Sequence, residues 1–351
     1  MGIYGYIAFF FLISFLSSNY YNLKNYSLKY ISALLVFLLF ILIFGLRGME
    51  TGNDTKSYID MFYDISQGNP DSFVFQSKEY LYIKSTEFVI FLGGDFRAYL
   101  IFSAILMFTP ILYVLKETNS INAITLAAFL ALGPFFFFHS GIRQAIAISF
   151  YSLSILFLIR GLIFRFILFL VVAANFHISV LLALPFIIAI KWKYNKWIYY
   201  GLLFISFLIS FRPQTLVSIV YIGLSVIPEK YQIFLISGLS YNNTSLGIKS
   251  VFLFMLGIIL VFCLSREFNR FKIYILNLSF LYIVLYNLFG NILILSRIPI
   301  YYVVFFVASL SFVFDFFDSK SKLSVRFLVF VCLFVFYIRV LFTDPYSVMV
   351  G

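Results

Sequence analysis

Charged side chains are scarce in this sequence. Asp, Glu, Lys and Arg make up 11% of its 351 residues, less than half the roughly 25% usual in soluble domains. A chain so poor in charge cannot cover a water-facing surface of its own size, which excludes a soluble enzyme or carrier. Histidine occurs twice and cysteine twice. Two histidines far apart, with no Asp-x-Asp pair, offer no ligand set for a bound Zn²⁺ or Mg²⁺. Cys263 and Cys332 each lie inside an apolar run and read as buried thiols behaving as small hydrophobes. A Gly-x-x-x-x-Gly-Lys-Ser/Thr loop is missing, so nucleotide hydrolysis is not the energy source. A Gly-x-Ser-x-Gly elbow for a nucleophilic serine is missing too. The net charge of +11 comes without a Lys/Arg cluster dense enough to follow a groove or strand, so nucleic acid is excluded as a partner. Nothing points to a cofactor.

What fills the chain is apolar: 63% hydrophobic and 22% aromatic residues. They recur in blocks of about 14 to 20, close to the ~20 residues a helix needs to cross a hydrocarbon core. The expected fold class is all-α, a polytopic integral membrane helical bundle of about twelve transmembrane helices (eleven to thirteen), with an outer-face amphipathic loop region. Helices are expected near 3–16, 27–46, 98–115, 123–138, 142–159, 197–211, 251–264, 273–289, 298–314 and 325–342. The run 162–190 is too long for one span and is interrupted by Asn175-Phe-His177, which predicts a tight hairpin of two short helices with Asn175 and His177 at its tip. The N-terminus lacks a basic n-region and an A-x-A site, and reads as a retained first helix. Residues 1–351 form one transmembrane domain with two large outer loops, 47–97 and 212–249; the first carries short amphipathic helices.

Lys and Arg favour cytoplasmic loops. Placing the loop at 17–29 inside puts 14 of the 25 basic residues on that side, from Lys24 and Lys29 through Lys116, Arg160, Lys191 and Arg270 to Arg326. Opposed by Glu117, Glu267, Asp315 and Asp318, they leave +10 inside and +1 outside. The count holds only if Tyr80–Leu92, with Lys84 and Glu87, does not fully cross. In this topology the polar run Leu46-Arg-Gly-Met-Glu-Thr-Gly-Asn-Asp-Thr-Lys-Ser-Tyr58, the His139–Arg143 turn, the Asn175–His177 tip, Arg297 and Asp344-Pro-Tyr346 all face outward.

Ionisable groups at membrane depth are costly and tend to mark sites. In Phe138-His-Ser-Gly-Ile-Arg-Gln144, Gly141 precedes a helix whose first turn holds Arg143 and Gln144. A helix N-terminus with a guanidinium suits phosphate oxygens; the bland alternative is an arginine reaching lipid headgroups. Arg47 ends the second helix as a topological anchor or an anion ligand. Asp54 sits in a Gly-Asn-Asp turn before an amphipathic helix showing Tyr58, Ile59, Met61, Phe62 and Ile65 on one face; it is an N-cap, a catalytic carboxylate or both. His177 reads as a hydrogen-bonded structural residue or as a general base or charge stabiliser, and His139, after four phenylalanines, as interfacial. Arg297 begins a helix with Pro299 in an early position. Several arginines, a histidine and carboxylates facing outward at the lipid boundary suit an anionic lipid-linked substrate.

In order along the chain, these elements resemble the Wzy-type O-antigen and EpsG-family polysaccharide polymerases of bacterial inner membranes. The family's Arg, spacer, Gly-Thr-Asp and Tyr resemble Arg47, Gly52-Asn53-Asp54 and Tyr58. Its Glu with aromatics resembles Glu79-Tyr80-Leu81-Tyr82, and its Ile-Arg-Gln-x-x-Ala matches Ile142 to Ala147. Its Phe-His-x-Ser with a later Pro matches Phe176-His177-Ile178-Ser179 and Pro185, and its late Ser-Arg-Ile with a Tyr resembles Ser296-Arg297-Ile298 and Tyr301. Asn53 stands where the pattern has Thr, and the Pro that often follows the Glu is absent.

The resemblance implies a glycosyltransferase making O-antigen, capsule or exopolysaccharide. Such an enzyme passes a growing glycan from undecaprenyl diphosphate to an incoming undecaprenyl-diphosphate-linked repeat unit at the outer face of the inner membrane. Membrane lipid surrounds it, and a chain-length regulator protein fits as a partner. In that frame His177, Asp54 and Arg143 are the catalytic candidates. Arg47, Arg143, Gln144, Arg297, Glu79, Tyr58 and Tyr301 are the candidates for binding diphosphate and glycan. Two rivals use similar outer cations. A flippase of lipid-linked oligosaccharide commonly shows internal repeats and midplane polar residues, and this sequence shows neither. A polyprenyl-phosphate-sugar glycosyltransferase or an O-antigen ligase is separated by the products it forms.

Overall fold

The computed structural model describes residues 3–22, 26–49, 51–68, 79–132, 134–192, 195–212, 214, 218, 248–265, 269–292, 295–313 and 319–343. Most of the second large loop and Asp344-Pro-Tyr346 lie outside them. The fold is all-α: every element among the described residues is helical, and a helix satisfies its own backbone where hydrocarbon offers no water. Four helices are long and apolar enough to span: Phe96–Glu117, Ile142–Ile159, Arg270–Phe289 and Ser324–Phe342. A fifth candidate is the pair Ala123–Ala131 and Pro134–Ser140, bent by 46°; Pro134 stands at the first position of the second helix, where proline is tolerated. Seven shorter apolar helices fall where the remaining hydrophobic blocks were expected. The protein is a polytopic helical membrane protein.

The elements are labelled in chain order: α1 (Ile3–Asn22), α2 (Tyr26–Gly45), α3 (Thr55–Gln67), α4 (Tyr80–Phe91), α5 (Phe96–Glu117), α6 (Ala123–Ala131), α7 (Pro134–Ser140), α8 (Ile142–Ile159), α9 (Ile163–Phe176), a 3₁₀ helix (Ile178–Lys191), α10 (Lys196–Ser210), α11 (Ile248–Leu264), α12 (Arg270–Phe289), α13 (Arg297–Ile300), α14 (Val303–Val313) and α15 (Ser319–Thr343). The helix break expected near Asn175–His177 falls at His177, whose backbone is extended (φ −159°, ψ 114°). Beyond it Pro185, which has no N–H to give an α-helical ladder, lies within the 3₁₀ turns. With 12 residues, α4 is about 18 Å long, well short of a 30 Å core.

The chain forms two compact units, 1–181 with 310–351, and 182–309. In the first, α8 packs between α5 and α9, α2 lies on α5, and α1 lies against α2 and α6. The contacts are largely aromatic: Phe40 stacks on Phe108 at 4.8 Å, and Tyr337 of α15 donates from its hydroxyl to the Tyr6 carbonyl at 2.9 Å. Arg160, after α8, pairs with Glu117 at the end of α5, so these helices run parallel and both begin at the other end of the unit. That end also receives the C-termini of α2 and α9. In the second unit α10, α11 and α12 pack mutually. Buried Asn277 on α12 accepts from the Tyr199 hydroxyl at 2.8 Å and donates to the Ile190 and Trp192 carbonyls, so its amide is satisfied away from water.

Candidate functional site

Where α2, α3, α4, α8 and α9 meet, three charged or ionisable side chains share one hydrogen-bonded cluster. Glu79 stands just before α4, Arg143 in the first turn of α8, and His177 just after α9. Arg143 donates from Nη1 to Glu79 Oε2 at 2.5 Å, and His177 Nδ1 meets Glu79 Oε1 at 2.7 Å. The side chains are nearly enclosed: 5% exposed for Glu79 and 15% for each of the other two. A buried carboxylate needs compensation of this kind, because removing one partner of such a pair leaves an uncompensated charge at a cost of about 3–5 kcal/mol. Arg143 Nε and His177 Nε2 are buried without a hydrogen-bond partner among the described residues.

Aromatic rings frame the guanidinium. Arg143 Cζ lies 5.8 Å from the Tyr58 ring centroid and 5.4 Å from that of Tyr82, inside cation–π range. Tyr58 also accepts the Arg143 backbone N–H on its hydroxyl at 3.4 Å, which satisfies an amide the first turn of a helix leaves unpaired. Burial raises both phenols above their usual range, Tyr82 well above it. They therefore stay neutral at physiological pH and contribute ring faces and hydroxyls, not charge. Tyr58 belongs to the buried face of α3, made by Thr55, Tyr58, Phe62 and Ile65; of the residues expected on that face, Ile59 and Met61 sit at its margin.

Arg47 lies behind this cluster, 1% exposed. Its Nη1 donates to the His139 carbonyl at 2.6 Å and its Nη2 to Thr55 Oγ1 at 3.3 Å, while Phe44 lies under the guanidinium at 4.4 Å. Burial lowers its pKa from the usual arginine value to about 10, so it remains a cation at neutral pH. The Asn53 N–H adds a bond to Ser140 Oγ at 3.1 Å. Together these bonds fasten the turn before α3 to the end of α7, immediately ahead of Arg143. Arg47 thus has the geometry of a clamp that sets the site's shape. His139 is fully buried against Phe44 and Phe135, with Nδ1 2.9 Å from the Phe135 carbonyl.

Asp54 occupies the N-cap position of α3 but makes no side-chain cap bond, and it is exposed. Gln144 is buried beside Arg143. Arg297, exposed, begins α13, and Tyr301, buried, follows it in the second unit. The first unit therefore gathers Arg47, Asp54, Tyr58, Glu79, Arg143, Gln144 and His177 at one end. Sequence reasoning missed Tyr82 as the second ring on Arg143 and Glu79 as the link between Arg143 and His177. The available hint was Glu79 itself, a carboxylate followed at once by an aromatic, largely apolar helix.

A model of one family, described as EpsG family, matches residues 30–349. The chain belongs to the EpsG family. That assignment carries a polysaccharide polymerase type of function, and the match takes in most of both units and every site candidate. No match was found among curated proteins or solved structures.

Proposed function

We propose that this EpsG-family protein extends a polysaccharide by transferring the growing glycan from undecaprenyl diphosphate to an undecaprenyl-diphosphate-linked repeat unit. The observation that carries the reading is the enclosed cluster of Arg143, Glu79 and His177, an anion-binding fork beside an imidazole with one nitrogen unpartnered among the described residues. A hydroxyl of the incoming unit attacks the anomeric carbon at the reducing end of the growing chain. The new C–O bond forms as the bond from that carbon to the diphosphate breaks, and undecaprenyl diphosphate leaves with the electron pair. Negative charge grows on the diphosphate, and a prepositioned guanidinium at a helix N-terminus stabilises it. The hydroxyl proton passes to His177 Nε2. Because the donor bond supplies the driving force, the absence of an ATP-binding loop in the sequence fits the reaction.

The base assignment is tested by comparing His177→Ala with Asp54→Asn at matched expression and reading the ladder of chain lengths. The expected result is no ladder from His177→Ala with retained binding of the lipid-linked unit, since the loss falls on the transition state. Asp54→Asn should keep its ladder, the carboxylate being outside the hydrogen-bonded cluster. A full ladder from the first variant and none from the second would transfer the base role to Asp54.

The active end is proposed to face the outside of the inner membrane, from the charge asymmetry of the loops. Cysteine labelling in intact cells should reach Asn53→Cys and Arg97→Cys, near the beginnings of α3 and α5, but not Lys116→Cys at the opposite end of α5. Labelling of Lys116→Cys alone from outside would invert the protein.

A further inference from the structure

Glu79 divides its two oxygens between two basic groups, one to Arg143 and one to His177. An ionised carboxylate only accepts hydrogen bonds, so the imidazole nitrogen it meets must carry hydrogen. A neutral imidazole has one N–H; with it on Nδ1, Nε2 is left as the bare acceptor. That is the atom buried without a partner among the described residues, a costly state for a polar group unless something else comes to occupy it. We infer that Glu79 is a positioning residue: its carboxylate fixes His177 as the Nδ1–H tautomer and leaves the Nε2 lone pair free for the acceptor hydroxyl, while Arg143 supplies the counter-charge that the buried carboxylate requires. The inference rests on the reading of His177 as the base.

The placement supports this division of labour. Glu79 and His177 stand at helix ends, ahead of α4 and behind α9, and these two helices pack on each other. The relation of carboxylate to ring is thus set by tertiary packing. Both Glu79 oxygens are committed, and the side chain is 5% exposed, so Glu79 is poorly placed to meet a glycan directly. Shortening it by one methylene, as in Glu79→Asp, removes the reach to one partner or the other.

The decisive measurement needs no substrate. The protein has two histidines, so full-length protein labelled with ¹⁵N-histidine gives two sets of imidazole signals, and His177→Gln identifies one by its loss. In wild type the neutral His177 ring should carry its proton on Nδ1 alone. In Glu79→Gln, whose amide donates as well as accepts, that fixed state should give way to a mixture or to the opposite tautomer. Wild-type protein with the proton on Nε2, or a Nδ1–H state unchanged in Glu79→Gln, overturns the inference. A kinetic readout with lipid-linked repeat units extracted from the producing cells adds a second arm. Glu79→Gln should lower the saturated rate of extension about 10–100-fold with KM unchanged, whereas a raised KM at full rate would make Glu79 a substrate ligand and overturn its positioning role. If wild type extends no chain at all, the proposed reaction fails, and the tautomer measurement still decides the role of Glu79.

Discussion

Arg143→Lys should reduce polymer formation about 10²–10³-fold while the protein accumulates in the membrane at near wild-type levels. The substitution is informative because it changes shape and not charge. A lysine at this position can still neutralise Glu79, so the buried carboxylate keeps a counter-ion and the fold is not asked to bury an unpaired charge. What it loses is the planar fork and the buried Nε that has no partner among the described residues. It also loses part of the stacking on Tyr58 and Tyr82. Arg143→Ala combines that loss with an orphaned Glu79, so reduced membrane levels should accompany the missing polymer. The check is the chain-length ladder at matched expression for both variants. A ladder close to wild type from Arg143→Lys and from Arg143→Ala would make Arg143 a structural cation and remove the diphosphate ligand from the proposed mechanism.

The second large effect is expected at a residue with no functional group. Gly52 has φ +94°, and a Cβ built there would stand 2.4 Å from the His139 carbonyl oxygen and 2.7 Å from its carbonyl carbon. That carbonyl is the acceptor for Arg47, so neither it nor the turn can move aside without loosening the clamp. Gly52→Ala adds left-handed backbone strain to a backbone clash, a cost of about 2–5 kcal/mol. It should lower the unfolding temperature of the purified full-length protein and weaken polymer formation together. Gly68→Ala is the control, since Gly68 also has positive φ (64°) but nothing among the described residues within 4 Å of its Cβ; it carries the strain without the clash. Equal effects from the two substitutions would mean that close approach to His139 contributes nothing.

Arg47 shows how the same residue reads differently at the two levels. Its position, just beyond an apolar block and ahead of a Gly-Asn-Asp turn, marks a helix end at the membrane boundary. Anchor and anion ligand stay equally open at that stage, because side-chain direction beyond a helix end depends on what packs there. In the structure α7 ends beside it and turns the His139 carbonyl toward the guanidinium, which commits the charge to the protein's own backbone. Asp54 is the converse case. Its sequence context fits a cap, yet the Thr55 hydroxyl bonds back to the Thr51 carbonyl, and the Asp54 side chain makes no cap bond.

The sequence by itself determined the class of the protein and the inventory of its site. Apolar blocks near the length of a bilayer core can fold only as helices where backbone groups have no water to bond. With so few charges to place, Arg47, Asp54, Arg143, His177 and Arg297 stood out at expected helix ends. Even the break at His177 was legible, because the apolar run is too long for one span. Tertiary structure alone decided which candidates meet. Glu79 and His177 are separated by 98 residues and Glu79 and Arg143 by 64, and no local pattern specifies contacts at such distances. They come together because α4 packs on α9, and α9 on α8, through apolar faces that carry no information about the polar groups at their ends. The packing of greasy helices, determined by shape, makes an enclosed cluster of three residues that the sequence offers only as separate candidates.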